Sequence, residues 1–125
     1  MAFTKLSIFY AFSAVALGAL GAHYLEEQLI LNDTVSAWEK AVLYQLVHAL
    51  ALFSLGTSSA KFSPSVITKT SWCWSLGILF FSGSLYGLAL TKWKVLGPIT
   101  PIGGLLMLAG WIILFFAKYP TNDKK

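Results

Sequence analysis

His48 follows Tyr44 by four residues and Gln45 by three, so on a helix these three side chains share one face. An imidazole so placed could bind a metal or haem iron, contact a quinone, or pass a proton near neutral pH. The plainer alternative is a neutral ring hydrogen-bonded to a serine or tyrosine of a neighbouring helix. A second histidine, His23, precedes Glu26 and Glu27 by three and four residues, where a carboxylate could orient its ring. That group could collect a metal or a proton, or be an interfacial histidine beside an acidic loop. Ser82, Ser84, Tyr86 and Thr100 are the other polar residues whose positions place them near this chemistry.

The elements that must carry these residues are four apolar runs, Leu6–Leu25, Ala37–Gly56, Ser71–Leu90 and Ile99–Ala117. Each is about twenty residues, which at ~1.5 Å rise per residue matches the hydrocarbon thickness of a bilayer. Apolar residues form 57% of the 125-residue chain and charged residues 11%, and the mean hydropathy is +0.70. A soluble domain of this length would need a core too small to surround such helices. The reading is an all-α membrane protein, four transmembrane helices in one compact bundle forming a single domain over residues 1–125, with a polar tail at 119–125.

The net charge of +4 comes from lysine alone, without arginine. That argues against bidentate recognition of phosphate or carboxylate. The lysines lie at helix ends and not on one basic face, so nucleic-acid binding is not expected. Cys73 is the one cysteine, which excludes an intrachain disulfide and a cysteine-based zinc cluster. Between Trp72 and Trp74 it reads as an inert interfacial thiol. Lys5, Lys61, Lys69, Lys118, Lys124 and Lys125 share one side of a four-span topology, against Lys40, Lys92 and Lys94 on the other. The lysine bias places both termini in the cytoplasm or an equivalent compartment, N-in and C-in. Lys5 and Ala19-Leu20-Gly21-Ala22 imitate a cleavable signal peptide, but the apolar run continues through Leu25 and reads as a retained helix.

Counting along the helices gives depth. From the boundary opposite the termini, Tyr44, Gln45 and His48 lie ~9, ~10 and ~15 Å inward, and Tyr86, Ser84 and Ser82 ~10, ~13 and ~16 Å. His23 and Thr100 lie near that surface. The polar side chains of all four spans therefore gather in the outer half, and the inner half holds little besides Cys73, Ser75 and Trp111. Trp111 needs a partner for its indole N–H. His23 and His48 differ in depth by ~12–15 Å, so they are poor co-ligands for one metal or haem. No metal and no cofactor is expected.

Membrane helices associate through close-packed small residues. Ala14, Gly18, Gly21 and Ala22 on the first span, the Gly83/Gly87 GxxxG pair on the third, and Gly103, Gly104 and Gly110 on the fourth are the expected packing positions. Ser36 is an expected cap for the second helix, and Thr100-Pro101 places a cap hydroxyl and a first-turn proline on the fourth. Ser63-Pro64-Ser65 punctuates the middle connection.

Four stretches in order carry a family likeness: Gly18-Ala19-Leu20-Gly21-Ala22-His23, Tyr44-Gln45-Leu46-Val47-His48-Ala49-Leu50, Phe81–Leu90, and Thr100-Pro101-Ile102-Gly103-Gly104 with Gly110-Trp111. On these the chain resembles the YgdD-like small membrane proteins, domain-of-unknown-function family 423, from about Phe12 to Phe116. The resemblance implies four transmembrane helices in a bacterial inner or plasma membrane, or an organellar membrane, and implies no agreed activity. The residues alone offer no phosphate loop, no Ser/His/Asp set and no paired intramembrane carboxylates. The expected function is a non-enzymatic scaffold or accessory subunit, contacting lipid and partner membrane proteins or further copies of itself. The alternatives are a small-molecule, quinone or proton site centred on His48, and, more weakly, an oligomeric channel or transporter.

Overall fold

A computed structural model describes residues 2–119; most of the polar tail expected at 119–125 lies outside the described residues. Five helices follow in order: α1 (Ala2–Ala22), α2 (Glu26–Leu31), α3 (Val35–Thr57), α4 (Pro64–Thr91) and α5 (Ile99–Phe115). Among the described residues there is no strand. Helices α1, α3 and α4, and α5 with the turn before it, are long and apolar enough to cross a membrane. The protein is an all-α bundle of four such helices. Helices α3 and α4 form its centre, α1 lies along α3, and α5 makes the most extensive interface of all with α4.

The first apolar run ends as a helix at Ala22 and not at Leu25. The chain turns there, with Leu25 N donating to Leu20 O at 2.8 Å, and enters the short α2. Hydropathy does not register that turn, because α2 is also partly apolar. Its Leu29 is buried against Trp38 and Ala89, so the connection is a plug on the end of the bundle. Asn32 Nδ2 donates to Ala89 O at 3.0 Å and Thr34 Oγ1 to the same carbonyl at 2.8 Å. These bonds satisfy acceptors in the last turn of α4, where the helix has no amide left to offer. Thr34, not Ser36, therefore occupies the cap position of α3, and its hydroxyl is spent on α4.

Helix α4 starts at Pro64, seven residues before the apolar run. Ser63 Oγ accepts from Val66 N, and Pro64 takes the first helical position, where a missing N–H costs nothing. Its 28 residues span about 42 Å against a hydrocarbon core of about 30 Å. The helix must tilt or carry its first turns beyond the bilayer. In α5 the cap position is Pro98, and the Thr100 hydroxyl turns to α4 instead of capping.

Glycines set the α4/α5 seam, but not all of those expected. A Cβ at Gly103 would fall onto the backbone of Phe80 and Phe81, and one at Gly77 would lie 3.1 Å from Gly103 O. Gly77, absent from the expected set, is thus half of the closest helix contact. Of the Gly83/Gly87 pair only Gly87 packs against the fourth crossing segment, at the turn that leads into α5. Gly83 is exposed with nothing within 4 Å of its Cβ position, and Gly87 faces Leu96 of the following turn. Gly83 alone lies on an open side of α4. Gly104 would meet Phe81 only at an ordinary 3.7 Å, and Gly18 would meet Val42 at 3.3 Å.

Gly21 and Gly110 serve a different purpose, since each seats an indole ring. Trp38 Nε1 donates to Leu17 O at 2.9 Å, and Trp74 Nε1 to Met107 O at 3.2 Å. The glycine stands four residues after the first acceptor and three after the second. On a helix those are the positions whose side chains would cover the carbonyl, so removing the side chain opens it to the ring.

Candidate functional site

The polar residues of the outer half resolve into separate bonded groups. Gln45, 4% exposed, is the best connected. Its Nε2 donates to Tyr10 O at 2.9 Å and Ser13 Oγ at 2.7 Å, and its Oε1 accepts from Tyr86 Oη at 2.7 Å. One amide therefore ties α1, α3 and α4 together, with both amide hydrogens and one oxygen lone pair engaged. Tyr86 also packs edge-on to Trp38, ring centroids 4.8 Å apart. Deeper on α4, Ser82 Oγ donates to Ala41 O of α3 at 2.7 Å. Ser84 and Thr100 share a hydrogen bond of 2.6 Å between α4 and α5.

His48 forms the remaining group. Its Nδ1 lies 2.8 Å from Tyr44 O, one turn back, and its Nε2 lies 3.0 Å from Trp111 Nε1. Indole is only a donor, so Nε2 must accept and Nδ1–H must donate to the carbonyl. This pattern assigns the neutral Nδ1–H tautomer and leaves no ring nitrogen free. The partner is the indole of α5, not the serine or tyrosine of α4 that the sequence suggested. Trp74 and Trp111 stand at centroid distances of 6.1 and 5.9 Å from the imidazole and 4.6 Å from each other. Taking a metal or a proton at Nε2 would break the Trp111 bond.

Tyr44 is exposed and lies over Phe81, with centroids 4.8 Å apart. With His48, Met107 and Trp111 it lines an apolar groove of about 540 Å³ between α3 and α5. His23 takes no part in any of these groups. It is exposed in the turn after α1, and its ring makes no hydrogen bond to Glu26, Glu27 or any other described residue. Among the described residues no three His, Cys, Asp or Glu side chains converge.

The inner half is more polar than depth counting indicated. Ser7, Thr70 and Ser71 are buried there beside Ser75, and the Thr70 and Ser75 hydroxyls lack a partner among the described residues. Tyr10 Oη crosses from α1 to Ser75 O at 3.0 Å. Tyr10, Ser13 and Gly77 do not stand out in the sequence because each lies within a uniformly apolar or small-residue stretch. Only periodicity against Gln45 could have singled out the first two. The indole–glycine pairing of Trp38 with Gly21 and Trp74 with Gly110 was also unmarked, although both members are visible in the sequence.

Four apolar crossing helices, short connections and polar side chains spent on one another define a small multi-pass integral membrane protein. The profile of the family described as "Protein of unknown function (DUF423)" matches residues 17–104, and the chain belongs to that family. It is 49% identical over 106 residues to a UPF0382 membrane protein of Staphylococcus haemolyticus, covering 85% of each chain. It is 48% identical over 117 residues to a UPF0382 membrane protein of Staphylococcus aureus, covering 94% of each. A relative of the same name in Staphylococcus epidermidis is 47% identical over 115 residues, covering 92% of this chain and 93% of that one. No solved structure matches the chain.

Proposed function

We propose that this protein is a non-enzymatic helical scaffold or accessory subunit of a membrane complex. The observation that carries the proposal is the use made of the intramembrane polar groups. Gln45, His48, Ser82, Ser84, Tyr86, Thr100 and three indoles each bond to a side chain or carbonyl of a neighbouring helix. Polar groups in hydrocarbon that are engaged this way hold helices together and are not held ready for a substrate. Apolar side chains of α1 and α5 face outward, among them Phe9, Phe12, Leu105 and Leu108, which suits contact with lipid or with partner helices. Mild extraction from native membranes, then a native gel with mass spectrometry of the band, tests the proposal. Co-migration with defined partners supports it, and migration as a free species rejects it.

A second reading has its own observation: the groove of about 540 Å³ that reaches His48 and Trp111 beside the Tyr44 ring. It would admit a flat apolar molecule such as a quinone, with Tyr44 as the polar contact. Under this reading Tyr44→Phe abolishes a ligand-induced rise in melting temperature without changing the melting of the free protein. The lysine distribution also supports placing both termini on the cytoplasmic side. Labelling of a cysteine introduced beside Lys61 from one side of sealed membranes tests that orientation.

A further inference from the structure

The end of the bundle that carries the termini has an opening of its own. Helices α3 and α5 do not close on each other there, and a pocket of about 320 Å³ descends between them. Its floor is Trp74 and Trp111, its walls include Leu114 and Phe62, and Lys61 stands at its mouth with Ser58 and Tyr119. Lys61 is exposed. Phe62 and Tyr119 meet across the pocket with ring centroids 5.4 Å apart.

Among the described residues the charge on this end is of one sign. Lys5, Lys61, Lys69 and Lys118 lie on it, and among the described residues no carboxylate does. The opposite end mixes Lys40, Lys92 and Lys94 with Glu26, Glu27, Asp33 and Glu39. A pocket at the membrane surface with a cation and hydroxyls at its mouth and indoles at its floor matches an amphiphile with an anionic head. A zwitterionic head would bring an ammonium group to a face that has no acidic partner among the described residues. The volume suits a headgroup and the first carbons of its chains, the remainder running along α5 in the bilayer. Basic pockets between transmembrane helices at the membrane surface hold anionic phospholipid heads by this combination.

We propose that the pocket between the ends of α3 and α5 binds an anionic phospholipid, its phosphodiester on Lys61 and the Ser58 and Tyr119 hydroxyls and its acyl stem against Leu114 and Trp111. The site shares the Trp74 and Trp111 rings with the His48 group but uses none of that group's hydrogen bonds, and it does not depend on the scaffold reading. The test is native mass spectrometry of the full chain released from vesicles of equal phosphatidylglycerol and phosphatidylcholine. The wild type should keep phosphatidylglycerol in preference. Lys61→Gln should reduce that retention about fivefold, the worth of one lysine against an anionic surface. Lys5→Gln, at the same end but outside the lining of the pocket, should keep it. Both lysine variants are exposed at the surface, and an unchanged melting temperature certifies their folding. Equal loss in the two variants would mean a diffuse surface charge and would overturn the proposal. So would equal retention of the two lipids, or complete displacement by inorganic phosphate.

Discussion

Helix α4 is held on its two sides by different means. Against α5 the contact is backbone on backbone, with Gly77 and Gly103 removing the side chains that would separate the helices. Against α3 and α1 the helices stand further apart and are joined by side-chain hydrogen bonds through Gln45, Tyr86 and Ser82. Lipid tails compete equally well for apolar contact, so a membrane bundle needs either close packing or polar bonds to hold together. This chain relies on close packing against α5, where the Ser84–Thr100 and Trp74–Met107 bonds add to it, and on side-chain bonds against α3 and α1. The first kind of seam should fail sharply when a single methyl is added, and the second should weaken by steps as bonds are removed.

The largest effect is expected at Gly103. Gly103→Val places atoms on the Phe80–Phe81 backbone, which cannot rotate away as a side chain could. Overpacking of this kind costs about 3 kcal/mol or more. Unfolding of the detergent-solubilised protein, followed by loss of helical circular dichroism as denaturing detergent is added, should show separation or misfolding of α5. A Gly103→Val variant that melts like the wild type would mean that the seam is loose. The next effect belongs to the bonded flank. Gln45→Leu removes three hydrogen bonds and leaves the Tyr86 hydroxyl in the bundle without its acceptor, at a cost of about 2 kcal/mol. Adding Tyr86→Phe to Gln45→Leu should recover part of the loss, because the orphaned hydroxyl is removed with its partner. Strict additivity of the two substitutions would show that the Gln45–Tyr86 bond carries no coupling.

What could be read beforehand divides along the same line. Spans and membrane character follow from hydropathy, since a twenty-residue apolar run has few other stable settings. The importance of Gln45 and His48 was also legible, because polar side chains at mid-membrane depth must find partners. The identity of those partners was not. Depth counting compares distance along the membrane normal and carries no rotation angle, so it grouped His48 with Ser82 and Tyr86 when its ring in fact turns to Trp111. The same missing angle misplaced the packing glycines. Gly83 satisfies a known pattern with Gly87 yet meets nothing, whereas Gly87 packs on the turn before α5 and the isolated Gly77 packs into α5 itself. Local boundaries erred where a hydroxyl had a better use across the bundle, as with Thr34 on Ala89 O and Thr100 on Ser84.

A smaller effect should mark the third kind of contact, the His48–Trp111 bond that joins α3 to α5 past the central pair. In a double-mutant cycle of His48→Ala and Trp111→Phe, the coupling should be about 0.6–1.7 kcal/mol, the range of side-chain bonds between membrane helices. Trp111 is 43% exposed, so the lower part of that range is expected. A coupling near zero would free the imidazole from its structural assignment and favour the ligand reading of the groove beside it.

The smallest effect on the isolated bundle should come from Gly83. Its side of α4 is open, and an added Cβ meets nothing within 4 Å among the described residues. Replacing glycine in an exposed helical position by alanine gains up to about 1 kcal/mol of helix propensity, so Gly83→Ala should melt at or slightly above the wild-type temperature. Gly83→Leu should be close to neutral in the same assay. The pair becomes informative when the measurement moves to native membranes. A scaffold that docks a partner on this face would tolerate alanine and lose the partner with leucine, while the purified bundle remained as stable as before. If leucine changes neither stability nor co-migration, the exposed side of α4 faces lipid, and any partner must sit on the outward sides of α1 or α5.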